Sequence, residues 1–325
     1  MMTRYLTTLP RVRPLWKILF LFLFIHEARG SAPLRIAGSS AVFPFAATVA
    51  EHFHYKTHEP TPLVEATGTG AGIKLFCSAP EGSDGVMTSR PLTEGERQKC
   101  SESKVTFEEF KIGQDGLVFI QKKGGLSFPL TLKDLNEALA ENVSRETICV
   151  PNPYAIWKEI QPTFPVHKIR VLGPAPTSGT YDVLIDKIRG TCGPFLRRDG
   201  AYIEAPANEN LIIQKVLNAP QTMGIVTFSF YDQNKDQLQA FSINGTTPSF
   251  ETIQTGIYPL SRPLYLYIKT NKLQDHPQRV AYVLEFSSEG AIGKNGYLQE
   301  KGLIPLSPEE EEVMRHRINK LKESS

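Results

Sequence analysis

Three times in this chain a small, polar loop leads straight into a helical pattern: Gly38-Ser-Ser-Ala-Val-Phe-Pro44, Thr67-Gly-Thr-Gly-Ala-Gly72 and Thr177-Ser-Gly-Thr-Tyr181. Short apolar, β-branched runs stand before them, and that alternation with helical patterns is the signature of an α/β fold. Leu34–Ala37 predicts a first strand. Pro44 then stands where a first helical turn tolerates it, and Phe45, Val49 and Phe53 recur on one helical face. Leu63–Ala66 predicts a second strand with a helix over Gly72–Cys77, and Val86–Thr88 a third with a helix from Thr93 to Cys100. Three such units in succession imply a parallel sheet with every loop at the same edge.

A second set of elements begins near Asp115–Ile120. It continues through a helix at Leu132–Ala140, a strand at Ile169–Leu172, helices at Tyr181–Arg189 and Asn210–Leu217, and a strand at Gly224–Thr227. Leu264–Ile268 reads as a strand returning to the first sheet, and the elements after it close the first domain. The last helix starts at Ser307 as N-cap with Pro308 at N1, followed by four glutamates that favour its dipole, and Met314, Ile318 and Leu321 form its buried face. Two crossings between domains make a hinge with a cleft.

The first thirty residues are set apart. Arg4, Arg11, Arg13 and Lys17 lead into the apolar run Ile18–Ile25, and Ala28 and Gly30 stand at small-residue cleavage positions before Ser31. This is the pattern of a secretory leader, expected to be cleaved near Gly30/Ser31, and the run is too short to span a bilayer. All four cysteines, Cys77, Cys100, Cys149 and Cys192, follow it, so disulfides are expected and spacing alone leaves three pairings open. Cys77 ends one predicted helix and Cys100 the next, with both helices flanking one strand, so Cys77–Cys100 is the expected pair and Cys149–Cys192 the remainder. At 41% hydrophobic and 22% charged residues the chain is ordinary globular material, and a net charge of +2 argues against a nucleic-acid surface.

Each small-residue loop before a helix can hold an oxyanion, because a helix N-terminus carries unpaired N–H groups and partial positive charge. Hydroxyls of Ser40, Thr69, Ser178 and Thr180 add donors. Arg90, in Thr88-Ser-Arg-Pro-Leu92, supplies a guanidinium fork suited to a tetrahedral anion. Arg262 stands in a similar Ser-Arg-Pro-Leu phrase at the start of the returning strand and reads as structural.

The blocks GSSAVFP, ATGTGAGIKLFC, TSRPLTEGERQKC, LGPAPTSGTYD, RRDGAYIEAPANENLIIQKV and YPLSRPLYLYI, in this order, resemble the phosphate-binding proteins of high-affinity phosphate ABC transporters. The resemblance runs from about Leu34 to Pro305. It implies the type II periplasmic binding-protein fold, two α/β lobes joined by crossing hinge strands, with lobe I at 31–112 and 256–325 and lobe II at 113–255. It also implies a periplasmic binding protein that captures inorganic phosphate in the cleft and delivers it to the permease of an ABC importer. By matched position the ligand set is Ser40, Ala41 and Val42, largely through backbone N–H, then Thr69, Ser89, Arg90, Ser178, Gly179 and Thr180. Family members often have arginine where Tyr181 stands and threonine where Ala41 stands. One branch places at position 90 an aspartate that accepts the phosphate proton and so rejects sulfate; here that residue is Arg90.

No cofactor, no metal, no catalytic residue and no nucleic-acid partner is expected, and a monomer is. The alternatives are a binder of another oxyanion (sulfate, molybdate) or of a phosphorylated molecule, and an adhesion or surface protein on the same fold. Ser101-Glu-Ser-Lys104 fits S-x-x-K but lacks the companion motifs of penicillin-recognising enzymes. His52, His54 and His58 read as a solvated helix end, and the Asn142 and Asn244 sequons matter only in a eukaryotic host.

Overall fold

In a computed structural model, which describes residues 32–323 apart from Thr177, Pro206, Ala207 and Lys294, all three strand–loop–helix units form. The leader expected over residues 1–30 lies outside the described residues. The first three units are β1 (Arg35–Gly38), α1 (Phe43–Thr57), β2 (Leu63–Ala66), α2 (Thr69–Phe76), β3 (Gly85–Thr88) and α3 (Glu94–Glu102). There follow β4 (Phe107–Lys122), α4 (Leu132–Leu139), β5 (Asn142–Arg145), β6 (Ile148–Pro151), β7 (Val171–Pro174), α5 (Gly179–Ile188), β8 (Tyr202–Ala205), α6 (Glu209–Asn218), β9 (Met223–Thr227) and α7 (Phe228–Gln233). The chain closes with β10 (Leu238–Ala240), α8 (Phe250–Gln254), β11 (Ser261–Lys269), α9 (Pro277–Phe286), α10 (Glu289–Ile292), α11 (Tyr297–Glu300) and α12 (Pro308–Glu323).

The strands join in the order β2-β1-β3-β11-β4-β9-β7-β8, with β10 beside β4 and β5–β6 a separate hairpin. β1 pairs parallel with β2 and β3, and β7 pairs parallel with β8 and β9. Two parallel halves are thus joined by two antiparallel strands. β4 pairs with β11 along Phe107–Gly116 and then with β9 along Leu117–Ile120, so a single strand serves both halves. The register slips between Leu264 and Tyr265, a bulge that bends the strands where they pass from one half to the other.

One apolar cluster gathers Ile36, Phe45, Val49, Phe53, Leu266 and Phe286; a separate one gathers Val118, Leu135, Trp157, Leu184, Ile213 and Tyr258. Phe45, Val49 and Phe53 are buried on α1, and Met314, Ile318 and Leu321 on α12, where Ser307 Oγ accepts from Glu310 N–H at 3.3 Å. Glycine sets the seating of α2. Gly38 has φ +141°, and a Cβ there would lie 2.1 Å from the Met87 carbonyl oxygen; a Cβ on Gly72 would lie 2.5 Å from Gly38 Cα. α2 therefore lies directly on β1. Disulfides join Cys77 to Cys100 and Cys149 to Cys192, the first linking the end of α2 to α3 and the second β6 to the chain after α5.

Departures from the sequence reading are local. Asp115–Ile120 is only the latter part of β4, whose first part carries Glu108, Glu109 and Lys111 and so lacks an apolar run. The structure adds β5, β6, β8 and β10, of three or four residues each. α9 buries Arg279 and Glu285 among its apolar residues, which hides its pattern.

Candidate functional site

The first loop turns tightly at the end of β1. Ser39 N–H donates to the Met87 carbonyl at 2.8 Å, while the amides of Val42 and Phe43 donate to the Ser39 carbonyl at 3.1 and 3.0 Å. Ala41 N–H donates to Ser39 Oγ at 3.3 Å. The backbone donors expected from Ala41 and Val42 thus already hold the turn, and Val42 is fully buried. A turn this tight uses its own amides. Ser40 and Ala41 remain on the wall of a cavity of about 610 Å³.

The second loop opens α2. Thr69, Gly70 and Ala71, whose first-turn N–H groups have no acceptor within the helix, line an adjoining cavity of about 250 Å³ together with Ser39, Ser89 and Arg90. Thr69 Oγ1 lies 3.3 Å from Ser89 Oγ and accepts from Ser89 N–H at 3.4 Å. Arg90 reaches this wall, yet its fork turns aside. Nη1 and Nη2 each donate to Glu96 at 2.8 Å, and Nη1 also donates to the Pro91 carbonyl at 3.0 Å. Glu96 in turn closes the capping box of α3 with Thr93. The hydrogen bonds from Arg90 hold the Glu96 carboxyl far below its usual range, at about 2. Arg90 is thus engaged in a local ion pair at the cavity wall.

Across the cleft stands α5. Ser178 is its N-cap, accepting from Thr180 N–H at 3.2 Å, with Gly179 the first helical residue. Thr180 lines the larger cavity, and Asp182, Asp186 and Lys187 line the smaller. Burial pushes the Asp182 carboxyl up and the Lys187 ammonium down. Tyr181, where the resemblance led one to look for arginine, is packed at the edge of the apolar core, its ring 6.4 Å from that of Tyr202. Ser40, Thr69, Ser89 and Thr180 are therefore brought to the cavity walls from both sides, and Ser178 and Gly179 stand at the helix end beside them. Thr177 lies outside the described residues.

Between the walls lies Arg262, the residue read as structural. It faces Asp115 across the β4–β11 ladder, donating to Asp115 Oδ2 from Nε at 3.1 Å and from Nη2 at 2.5 Å. Both are deeply buried, at 2% and 5% exposure. Among the described residues Nη1 of Arg262 has no hydrogen-bond partner, and Arg262 lines both cavities. An orphaned guanidinium N–H at this depth is costly unless something else accepts from it. The sequence held a signal for the pair. Asp115 sits in the apolar run of IGQDGLVFI and Arg262 in that of SRPLYLYI, and charges inside buried strands require partners. On the far wall Glu209, the first residue of α6, accepts at Oε2 from Thr227 N–H at 2.9 Å and from Thr227 Oγ1 at 3.0 Å.

The other motifs gather no site. Lys104, with φ 57°, lies just past the C-terminal end of α3. His54 Nδ1 is 2.6 Å from the Glu59 carbonyl and His52 stacks on Tyr297 at 3.8 Å. Among the described residues no group of three His, Cys, Asp or Glu could hold a metal ion, and no helix is long and apolar enough to cross a membrane.

A family model described as a PBP superfamily domain matches residues 26–289. A phosphate-binding protein PstS of Staphylococcus saprophyticus is 30% identical over 256 residues, covering 77% of this chain and 74% of that protein. Protein SphX of Synechococcus elongatus is 27% identical over 292 residues, 87% of this chain and 80% of its own. Among solved structures, a possible phosphate binding protein from Planctomyces limnophilus superposes with a TM-score of 0.77 at 28% identity, over 90% of this chain and 99% of the other. An ABC-type phosphate transport receptor from Vibrio cholerae reaches 0.64 at 20% identity, over 85% of this chain and all of the other, and shares the fold.

Proposed function

Because this chain belongs to the PBP superfamily, and within it to the family of PstS phosphate-binding proteins, we propose that it captures inorganic phosphate outside the cytoplasmic membrane and delivers it to the permease of an ABC importer. The observation that carries this reading is Arg262. Arg262 lines both cavities, and its buried Nη1 has no hydrogen-bond partner among the described residues. A tetrahedral oxyanion supplies the acceptor this donor lacks, and guanidinium geometry suits it. Around it we assign Ser40, Thr69 and Ser89 from one wall and Ser178, Gly179 and Thr180 from the other. Neutral hydroxyl and amide donors fit the charge balance, since Asp115 already cancels Arg262.

The walls belong to two lobes, residues 31–112 with 256–325 and residues 113–255, that hinge on β4 and β11. One chain supplies both walls, so a monomer suffices. The leader over residues 1–30 routes the protein to the periplasm, where disulfides form and persist.

Calorimetric titration of the purified protein with phosphate, sulfate and molybdate tests the reading. Phosphate should bind at one site per chain, and far more tightly than the other two. Absence of phosphate binding, or a preference for either rival, would overturn it.

A further inference from the structure

The larger cavity carries two carboxylates, Asp115 on its floor and Glu209 on its far wall. Asp115 is satisfied: Oδ2 takes the Arg262 donors, and Oδ1 accepts from Gly116 N–H at 2.7 Å. Glu209 is not. Both donors from Thr227 go to Oε2, and Oε1 has no donor among the described residues. Arg262 and Glu209 both line this cavity, and among the described residues neither the buried Arg262 Nη1 nor Glu209 Oε1 has a hydrogen-bond partner.

An ionised carboxylate accepts hydrogen bonds and donates none. A hydrogen-free dianion such as sulfate can set only lone pairs against it, within a cavity whose Arg262 charge Asp115 already balances. Hydrogen phosphate presents lone pairs to the donors and its one O–H to the carboxylate. Position 90, where one branch of the family keeps an acceptor, is here an arginine held by Glu96.

We propose that Glu209 is the selectivity residue of the cleft: its Oε1 accepts the hydrogen of a protonated tetrahedral oxyanion, so that phosphate is held and sulfate refused. This rests on the reading of the cleft as a phosphate site. Three charged groups face Glu209 or its cavity: Asp115 from β4, Arg262 from β11 and the exposed Lys301 after α11. Burial pushes the Glu209 carboxyl up to about 7, against the Thr227 hydrogen bonds that favour its charge. Above that pH the carboxylate repels sulfate; below it the protonated group has an O–H to give. Sulfate binding must therefore strengthen as pH falls, whereas phosphate brings its own hydrogen throughout.

Calorimetry with phosphate and with sulfate from pH 8.5 to 5.5 at constant ionic strength, on the parent protein and on Glu209→Gln, tests this. In the parent, sulfate affinity should rise at least about tenfold on acidification and phosphate affinity change less. Glu209→Gln keeps the shape and adds an N–H, so it should narrow the phosphate preference by about 10- to 100-fold at pH 8, the range of a hydrogen bond to a charged group. It should also flatten the sulfate pH profile, a readout that a merely structural role in holding Thr227 would not move. If the parent binds no phosphate, the functional reading falls and this one with it. If it binds phosphate but its sulfate affinity is flat with pH, or Glu209→Gln keeps the parent's preference, the role of Glu209 alone is overturned.

Discussion

Arg90 and Arg262 stand in near-identical Ser-Arg-Pro-Leu phrases and end in different circumstances. Arg90 is followed six residues later by Glu96 on the first turn of α3, and the two form a forked pair at the protein surface. Arg262 lies opposite Asp115 in the middle of the molecule, with one nitrogen left over. Their variants should separate. Arg90→Ala should weaken phosphate binding less than about tenfold, since it removes a cation already paired. The double variant Arg262→Met/Asp115→Asn removes a buried pair without stranding either charge, a change that is often neutral for stability. Its phosphate affinity should nonetheless fall roughly 30-fold or more, the effect of losing a desolvated charge contact to the ligand. Titration of both variants checks the order, and a larger loss in Arg90→Ala would reverse the assignment. Acid unfolding gives a second measurement on Arg90. Glu96 is held at about 2, below its ordinary 4.5, chiefly by Arg90, so its contribution to stability is present above 4.5 and is lost as pH falls toward 2. Arg90→Ala should show a shallower loss of stability across that window.

At the scale of elements, what aims the donors is how closely helices lie on strands. The N-terminus of α2 reaches the cleft because Gly72 rests on Gly38. Gly72→Ala is a sharp test, because two effects oppose each other. In an open helix the change would stabilise by about 1 kcal/mol. Here the new methyl meets backbone that cannot move without lifting α2 from β1, and overpacking of this kind costs about 1–3 kcal/mol. We expect a net loss of stability in urea unfolding together with weaker phosphate binding, as the Thr69–Ala71 amides shift. A variant more stable than the parent would show that the helix is not so seated. The Cys77–Cys100 bridge, between the end of this helix and α3, braces the same wall.

For the whole molecule, the decisive feature is that the chain crosses between its two halves on strands and not on a loose linker. β4 is shared by both, and β11 lies along it as far as the Arg262–Asp115 pair. The bulge beside Leu264 bends the pair of strands at the crossing. A ligand held by both walls favours whichever arrangement brings them closest, by the difference in its affinity for the two. Small-angle scattering at saturating phosphate should therefore report a more compact particle than without it. An unchanged profile at saturation would count against a hinge here.

Local order was legible in the sequence: loops before helices, the cap at Ser307, the buried face of α1, and the parallel units were each encoded within a few neighbouring residues, where hydrogen bonding and periodicity act. The blocks that carry the family resemblance were legible too, and with them the general place of the cleft. Three things were decided only by the tertiary structure. Which arginine has a nitrogen to spare depends on a partner 147 residues away across a β-ladder. Whether the amides of Ala41 and Val42 are free depends on how tightly the chain turns over Met87. That Glu209 faces Arg262 across a cavity depends on β11 returning between β3 and β4. Sequence patterns report what a residue does to its neighbours in the chain; the vacancy of a donor or acceptor is a property of everything packed around it.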